Sequence, residues 1–139
     1  MSLEQLIYIS RSNIVLTSSL EVAEIMDVSS RNNARYGITG ALTYSENRFI
    51  QILEGPTDAL DWLMDRLSYD PRHRDLDVLD RLEIRERAFP EWSMLFPTLT
   101  PVTRAMMAKL IVDRRRHAPA YRHALLTMGR EFRRSAGGY

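Results

Sequence analysis

The sequence contains no cysteine. Disulfides, thiolate metal sites and cysteine nucleophiles are therefore excluded together. No apolar run approaches the ~20 residues that a membrane-spanning helix needs. Residues 1–5 have neither a basic n-region nor an apolar stretch behind it, so no signal peptide is expected and the cytoplasm is the expected compartment. There is no G-x-G-x-x-G, no Walker loop and no H-E-x-x-H. The three histidines, His73, His117 and His123, lack ligand-like neighbours, so no metal site is expected. No Ser-His-Asp set can be assembled from spacing. No internal repeat or low-complexity segment interrupts the chain.

What remains is a chain of 139 residues, 45% apolar and 27% charged, the size and make-up of one ordinary globular domain. Its net charge of +1 hides a division. Residues 1–103 carry 10 Lys and Arg against 16 Asp and Glu, a net −6, and residues 104–139 carry 9 against 2, a net +7. A basic tail behind an acidic domain either presents an interaction surface or folds back onto that domain. The tail lacks a recognised nucleic-acid-binding motif, so nucleic acid is not an expected partner.

Residues 6–10 are rich in β-formers and predict a first strand, with Leu6, Tyr8 and Ser10 on one face and Ile7 and Ile9 on the other. Ser18 and Glu21 form a capping box, predicting a helix to about Arg31 with Val22, Ile25 and Met26 on its buried stripe. Asn32 and Asn33 then fall at the helix end. Residues 38–44 and 49–54 predict an antiparallel hairpin about Ser45-Glu46-Asn47-Arg48. Gly55-Pro56 opens a second helix, in which Leu60, Leu63, Met64 and Leu67 have core-facing spacing and Asp70-Pro71 is the stop. Residues 78–86 and 92–96 predict two more strands. The order βαββαββ predicts an α+β, ferredoxin-like sandwich with two helices on a mixed five-stranded sheet.

Thr100-Pro101 starts a further helix to about Arg116, and Ala118-Pro119 another. One carries Met106, Met107, Leu110 and Ile111, the other Tyr121, Leu125, Met128 and Phe132. These stripes suit the bare face of the sheet or another chain. The expected division is a domain over residues 1–98 and a helical extension over 99–139.

Two residues carry chemistry that a plain core does not need. Gln51 lies in a strand with two largely apolar faces, where an unpartnered amide costs roughly 1–3 kcal/mol. Tyr8 poses the same question, because a buried phenol hydroxyl needs a partner. Taken singly, each has an ordinary explanation as a core residue satisfied locally. Asn32 and Asn33 are equally explicable as helix-end residues, and Trp92 and Met94 as core residues of an edge strand.

Taken together, the residues resemble a family. The pieces are Leu6-Ile7-Tyr8-Ile9-Ser10, Asn32-Asn33 followed by Gly37-Ile38-Thr39-Gly40-Ala41-Leu42, and Phe49-Ile50-Gln51-Ile52-Leu53-Glu54-Gly55. Asp70-Pro71-Arg72-His73 and Arg87-Ala88-Phe89-Pro90-Glu91-Trp92-Ser93-Met94 follow in order. This array resembles the signature of the BLUF family of flavin-binding blue-light sensors, over about residues 3–97. Sensing through a cysteine–flavin adduct is already excluded by the composition.

The resemblance implies the ferredoxin-like fold reached above from element order. It also implies FAD as a non-covalent cofactor, with FMN or riboflavin as substitutes in recombinant protein, and a ring lying between two helices on the sheet. By resemblance, Asn33 holds the polar pyrimidine edge, Asn32 lies beside it, and Arg66 contacts the C2 carbonyl. Asp70 and His73 fall toward the ribityl and phosphate end, and Ile25, Ile38 and Phe49 form apolar walls. An ion pair with Asp70, its i+4 neighbour, is the other role open to Arg66. Tyr8 and Gln51 would be the photochemical pair. Tyr8 would supply an electron and a proton, and Gln51 would reverse its hydrogen bonds by rotation or tautomerisation.

Trp92 and Met94 would exchange positions near Gln51 and relay the signal. No attached cyclase or phosphodiesterase domain is expected. The resemblance therefore implies a sensor without enzymatic turnover, acting on a separate downstream effector protein through residues 100–134, and a homo-oligomer. Two other readings stand beside it. One is a light-independent interaction module on the same fold. The other is an enzyme such as an acyl-phosphate hydrolase, for which Arg11-Ser12-Asn13 is the only candidate phosphate loop.

Overall fold

The structure is a computed structural model. It describes residues 2–13, 24, 28, 30–90 and 100–137, without the side chains of 129 and 131–137. The elements are β1 (Leu3–Ser12), a helix α1 described at residues 24, 28 and 30–35, β2 (Thr39–Ser45), β3 (Arg48–Pro56), α2 (Thr57–Ser68), β4 (His73–Ile84), α3 (Pro101–Val112) and α4 (Arg114–Gly137).

The alternation read in the first strand separates two cores. Leu6 and Tyr8 pack with Ile38, Leu42, Phe49, Leu53 and Leu60, on the face that α2 covers. Ile7 and Ile9 pack with Ile50, Ile52, Met107, Leu110, Tyr121 and Leu125, on the face that α3 and α4 cover. Each fully buried aliphatic side chain contributes roughly 1.5–3 kcal/mol, so neither layer is dispensable. The C-terminal helices therefore cover the bare face of their own sheet. The charge division has the same outcome at two points: Arg114 pairs with Asp77 at 3.0 Å and Arg122 with Asp80 at 2.6 Å. There the basic tail folds back onto the acidic domain.

The sheet has the order β2-β3-β1-β4, and every pairing is antiparallel. The expected mixed five-stranded sheet is thus corrected to four antiparallel strands among the described residues. The fifth strand, expected at 92–96, lies outside them, as do the capping box at Ser18 and Glu21 and the stripe residues Val22, Ile25 and Met26. β4 begins at His73, five residues earlier than expected. Its first residues read as charged loop, yet their backbone pairs with the end of β1, Arg74 opposite Arg11 and Asp77 opposite Ile9. Side-chain polarity hid a strand that backbone hydrogen bonding makes.

The connections follow local chemistry. Glu46 and Asn47 take φ values of 51° and 59°, a two-residue turn of the kind that matches strand twist. α1 runs on to residue 35, so Asn32 and Asn33 lie inside its last turns rather than beyond them. The stop is Gly37, at φ 70°, with Ile38 N–H donating to the Asn33 carbonyl at 2.9 Å and Gly37 N–H to the Ala34 carbonyl at 3.4 Å. That pair of bonds is the Schellman closure, and glycine takes its left-handed position without strain. Thr100 caps α3 as expected, its hydroxyl accepting from Thr103 N–H at 3.1 Å. α3 ends at Val112 and α4 already begins at Arg114, so Pro119 lies inside α4 instead of opening it. Its ring removes one helical hydrogen bond there.

At Gly40 the backbones of β2 and β3 leave no room for a side chain. A Cβ built there would lie 2.0 Å from the Ile52 carbonyl oxygen. Gly40→Ala is expected to lower the unfolding free energy by about 3 kcal/mol or more, read from urea denaturation. A loss below about 1 kcal/mol would contradict this packing.

Candidate functional site

Tyr8 in β1 and Gln51 in β3 are directly opposed across the sheet. Both are buried, and the Tyr8 hydroxyl donates to Gln51 Oε1. The register with β4 slips at this point. Ile7 faces Asp80 while Tyr8 faces Val78, so Leu79 has no opposite number. Such a bulge re-aims neighbouring side chains. Burial pushes the Tyr8 phenol well above its ordinary value, the Asp70 charge adds to this, and the Arg72 charge opposes it. Tyr8 therefore keeps its proton at neutral pH and acts as a donor. With Gln51 accepting through oxygen, its amide nitrogen is left as the donor end.

Two small spaces touch the pair, and a larger cleft adjoins them. One of about 40 Å³ lies against Tyr8, Gln51, Leu42, Phe49 and His73. A second of about 60 Å³ lies between Gln51 and the helix residues Asn32, Asn33 and Leu63. Leu67 and Arg72 line both, so they form one interrupted slot between α1, α2 and the sheet. Outside it is a cleft of about 500 Å³, bounded by Asn32, Trp62, Arg66, Tyr69 and Asp70.

Most of the expected site residues converge here. Asn33 is buried and Asn32 more exposed, and both line the slot. Phe49 walls it, and Asp70 and His73 close its end. Arg66 lies in the outer cleft, its guanidinium 5.0 Å from the centre of the Trp62 ring. The ion pair open to it forms elsewhere: Asp70 is gripped by Arg72, with contacts of 2.6 and 3.0 Å. Burial raises the Asp70 carboxyl, but the hydrogen bonds and charge of Arg72 outweigh it and hold the group below its usual range. Ile38 is buried in the layer beneath and is not among the residues that line the slot. Ile25, Trp92 and Met94 lie outside the described residues.

Five residues that line the slot are not among the expected site residues: Val28, Leu42, Leu63, Leu67 and Arg72. Leu42 is the cross-strand neighbour of Gln51, which the 45–48 turn already fixes by counting back along the hairpin. For Arg72 the signal is the Asp70-Pro71-Arg72 turn itself, in which Asp70 Oδ1 accepts from the Arg72 backbone N–H at 2.9 Å and brings the guanidinium within reach of the carboxylate.

The residues present fit a flavin ring. The slot offers apolar walls from Leu42, Phe49 and Leu67, and amides at Asn33 and Gln51 for a polar edge. Neither ring nitrogen of His73 has a hydrogen-bond partner of normal geometry, although both are buried. A buried polar atom of this kind calls for a further partner.

Burial pushes His73 below the ordinary value of 6.5, against the opposing pull of Asp70 and the Leu67 backbone. The unfolded chain then binds more protons than the folded one as pH falls through 6.5. Stability contributed by neutral His73 is present above that pH and is lost below it. Wild-type protein should lose thermal stability between about pH 7.5 and 5.5, and His73→Gln should flatten that slope. An unchanged slope in the variant would refute the assignment.

The comparisons with known proteins agree with this geometry. A family profile described as "BLUF: Sensors of blue-light using FAD" matches residues 3–95. Photoactivated adenylate cyclase subunit beta of Euglena longa is 41% identical over 108 residues, 77% of this chain and 12% of that protein. The chain spans only 11–15% of the length of the curated relatives it matches. The dark-state structure of BlrB, a BLUF protein, superposes with a TM-score of 0.72 at 34% identity, covering 91% of this chain and 94% of that one. The photo-activated state of BlsA gives 0.77 at 23% identity, a likeness of fold. The chain belongs to the BLUF family, sensors of blue light using FAD.

Proposed function

We propose that the Tyr8–Gln51 hydrogen bond is the element that light switches in this sensor. The observation that carries the reading is this buried bond at the wall of a slot that Asn33 also lines. When bound, FAD supplies blue-light absorption and the capacity to accept an electron. FMN or riboflavin would serve the same way in recombinant protein.

The chain's own groups do the rest. Asn33 and Asn32 orient the polar edge, and Phe49, Leu42 and Leu67 exclude water, with Ile25 and Ile38 completing the apolar surroundings. Asp70, held by Arg72, and His73 border the end of the slot, and Arg66 guards the outer cleft. Tyr8 would lend an electron and a proton, and both would return to it, so that it is again a neutral hydroxyl once the hydrogen bonds have rearranged. Its proton is already directed at Gln51 Oε1. Turning the Gln51 amide by half a revolution puts Nε2 where Oε1 was. The Tyr8 hydroxyl then accepts where it had donated. Tautomerisation of the amide reverses the pattern by moving a proton instead.

The relay then runs through Trp92 and Met94 to the helices of residues 100–134 and on to a separate effector protein. Residues 1–98 are the photosensory part and 99–139 the extension. The chain works in the cytoplasm as a homo-oligomer and turns over no substrate of its own. Among the described residues, no helix is long and apolar enough to cross a membrane. Val102 and Val112 are exposed on α3 and give the extension apolar surface for a partner. Removing residues 100–139 is a poor test, because Met107, Leu110, Tyr121 and Leu125 hold one core of the sheet.

Gln51→Ala is the direct test. The variant should bind flavin and stay yellow, and its flavin absorption band should no longer shift to the red in blue light. A wild-type shift in the variant would remove Gln51 from the mechanism.

A further inference from the structure

The sheet face opposite the slot carries a second hydroxyl cluster, and it touches the same peptide. Tyr121 of α4 is fully buried, and its hydroxyl donates to the Ile50 carbonyl oxygen at 3.0 Å. The Thr43 hydroxyl lies 2.9 Å from the same carbonyl and 2.8 Å from the Tyr121 hydroxyl. Two hydroxyl protons thus serve three oxygens, and the Thr43 proton has two acceptors to choose between. The Ile50 carbonyl belongs to the peptide bond that continues into Gln51. The Gln51 side chain leaves one face of β3 while the carbonyl beside it is held from the other.

We propose that Tyr121 is an output-side positioning residue, tying α4 through the Ile50 carbonyl to the peptide that carries Gln51. The proposal rests on the photosensory reading above and adds a route that needs neither Trp92 nor Met94. A turn of the Gln51 side chain tilts the 50–51 peptide plane. The tilt changes the bond that Tyr121 makes, and α4 responds. Arg122, the next residue, fixes the same helix turn to Gln5 at 2.6 Å and Asp80 at 2.6 Å. α4 is therefore anchored beside the relay rather than free to ignore it.

The sequence allows the peptide itself to be observed. Gln5 and Gln51 are the only glutamines, and Gln5 follows Glu4, so Ile50-Gln51 is the only Ile-Gln pair. Protein labelled with carbonyl-¹³C isoleucine and ¹⁵N glutamine gives a single carbonyl-to-nitrogen correlation peak. In flavin-loaded wild type the peak should move in blue light and return in darkness. In Tyr121→Phe the flavin red shift should survive, since the carbonyl keeps Thr43, while the light-dependent change in α4 hydrogen exchange should be lost. A red shift with an immobile Ile50–Gln51 peak would overturn the relay, as would α4 exchange in Tyr121→Phe that still responds to light as in wild type. If Tyr121→Phe does not fold, the labelled wild type decides alone. Absence of any red shift in wild type would remove the photosensory reading, and the relay with it.

Discussion

The structure depends on a sheet that is buried on both faces. α2 and α1 lie on one side and α3 and α4 on the other, so the middle of the central strands, residues 5–10 of β1 and 49–55 of β3, is buried. A polar group placed there must find its partner inside, and leaving it unpaired costs roughly 1–3 kcal/mol. Tyr8 and Gln51 satisfy this constraint with each other. The same constraint limits their alternatives. Intermediate orientations leave hydrogen bonds unmade, so a buried amide next to a phenol favours two arrangements over a continuum.

The opposite face obeys the same rule with different residues. Gln5 Nε2 donates to Glu54 Oε2 at 3.0 Å, and the Glu54 carboxylate also accepts from the backbone N–H groups of Ala88 and Phe89 at 3.0 and 2.8 Å. Arg122 completes the set from α4. This network clamps the segment after β4 and the C-terminal helix onto the ends of β1 and β3. The sensor strands are thus wired on their far side to the elements that lead toward residues 91–99 and to α4. In the proposed relay, α4 shares a core and a hydrogen-bond network with β1 and β3 and is placed to feel small changes in them.

Much of this was legible in the sequence, for physical reasons that differ by element. The alternation of Leu6, Tyr8 and Ser10 against Ile7 and Ile9 placed two faces correctly, because the period of a strand is rigid. The order of Tyr8, Asn33 and Gln51 along the chain marks them as candidates, and the antiparallel pairing of β1 with β3 sets Tyr8 opposite Gln51. Asn32 and Asn33 were read as the end of a helix because asparagine tolerates left-handed backbone, yet Gly37 tolerates it better and took the stop. The start of β4 was invisible because His73, Arg74, Asp75 and Asp77 are polar, while the bonds that make it a strand are backbone bonds. The Tyr121–Ile50 contact is a tertiary fact with no local pattern to announce it, whereas the Arg72–Asp70 grip is local to the turn after α2.

The central claim is that this chain holds a flavin whose surroundings change when it absorbs blue light. The absorption spectrum of the purified wild-type protein tests it most directly. The account predicts a yellow protein whose flavin band shifts to the red in blue light and relaxes in darkness. A colourless protein that binds no added FAD, or bound flavin with an unmoved spectrum under blue light, would contradict it.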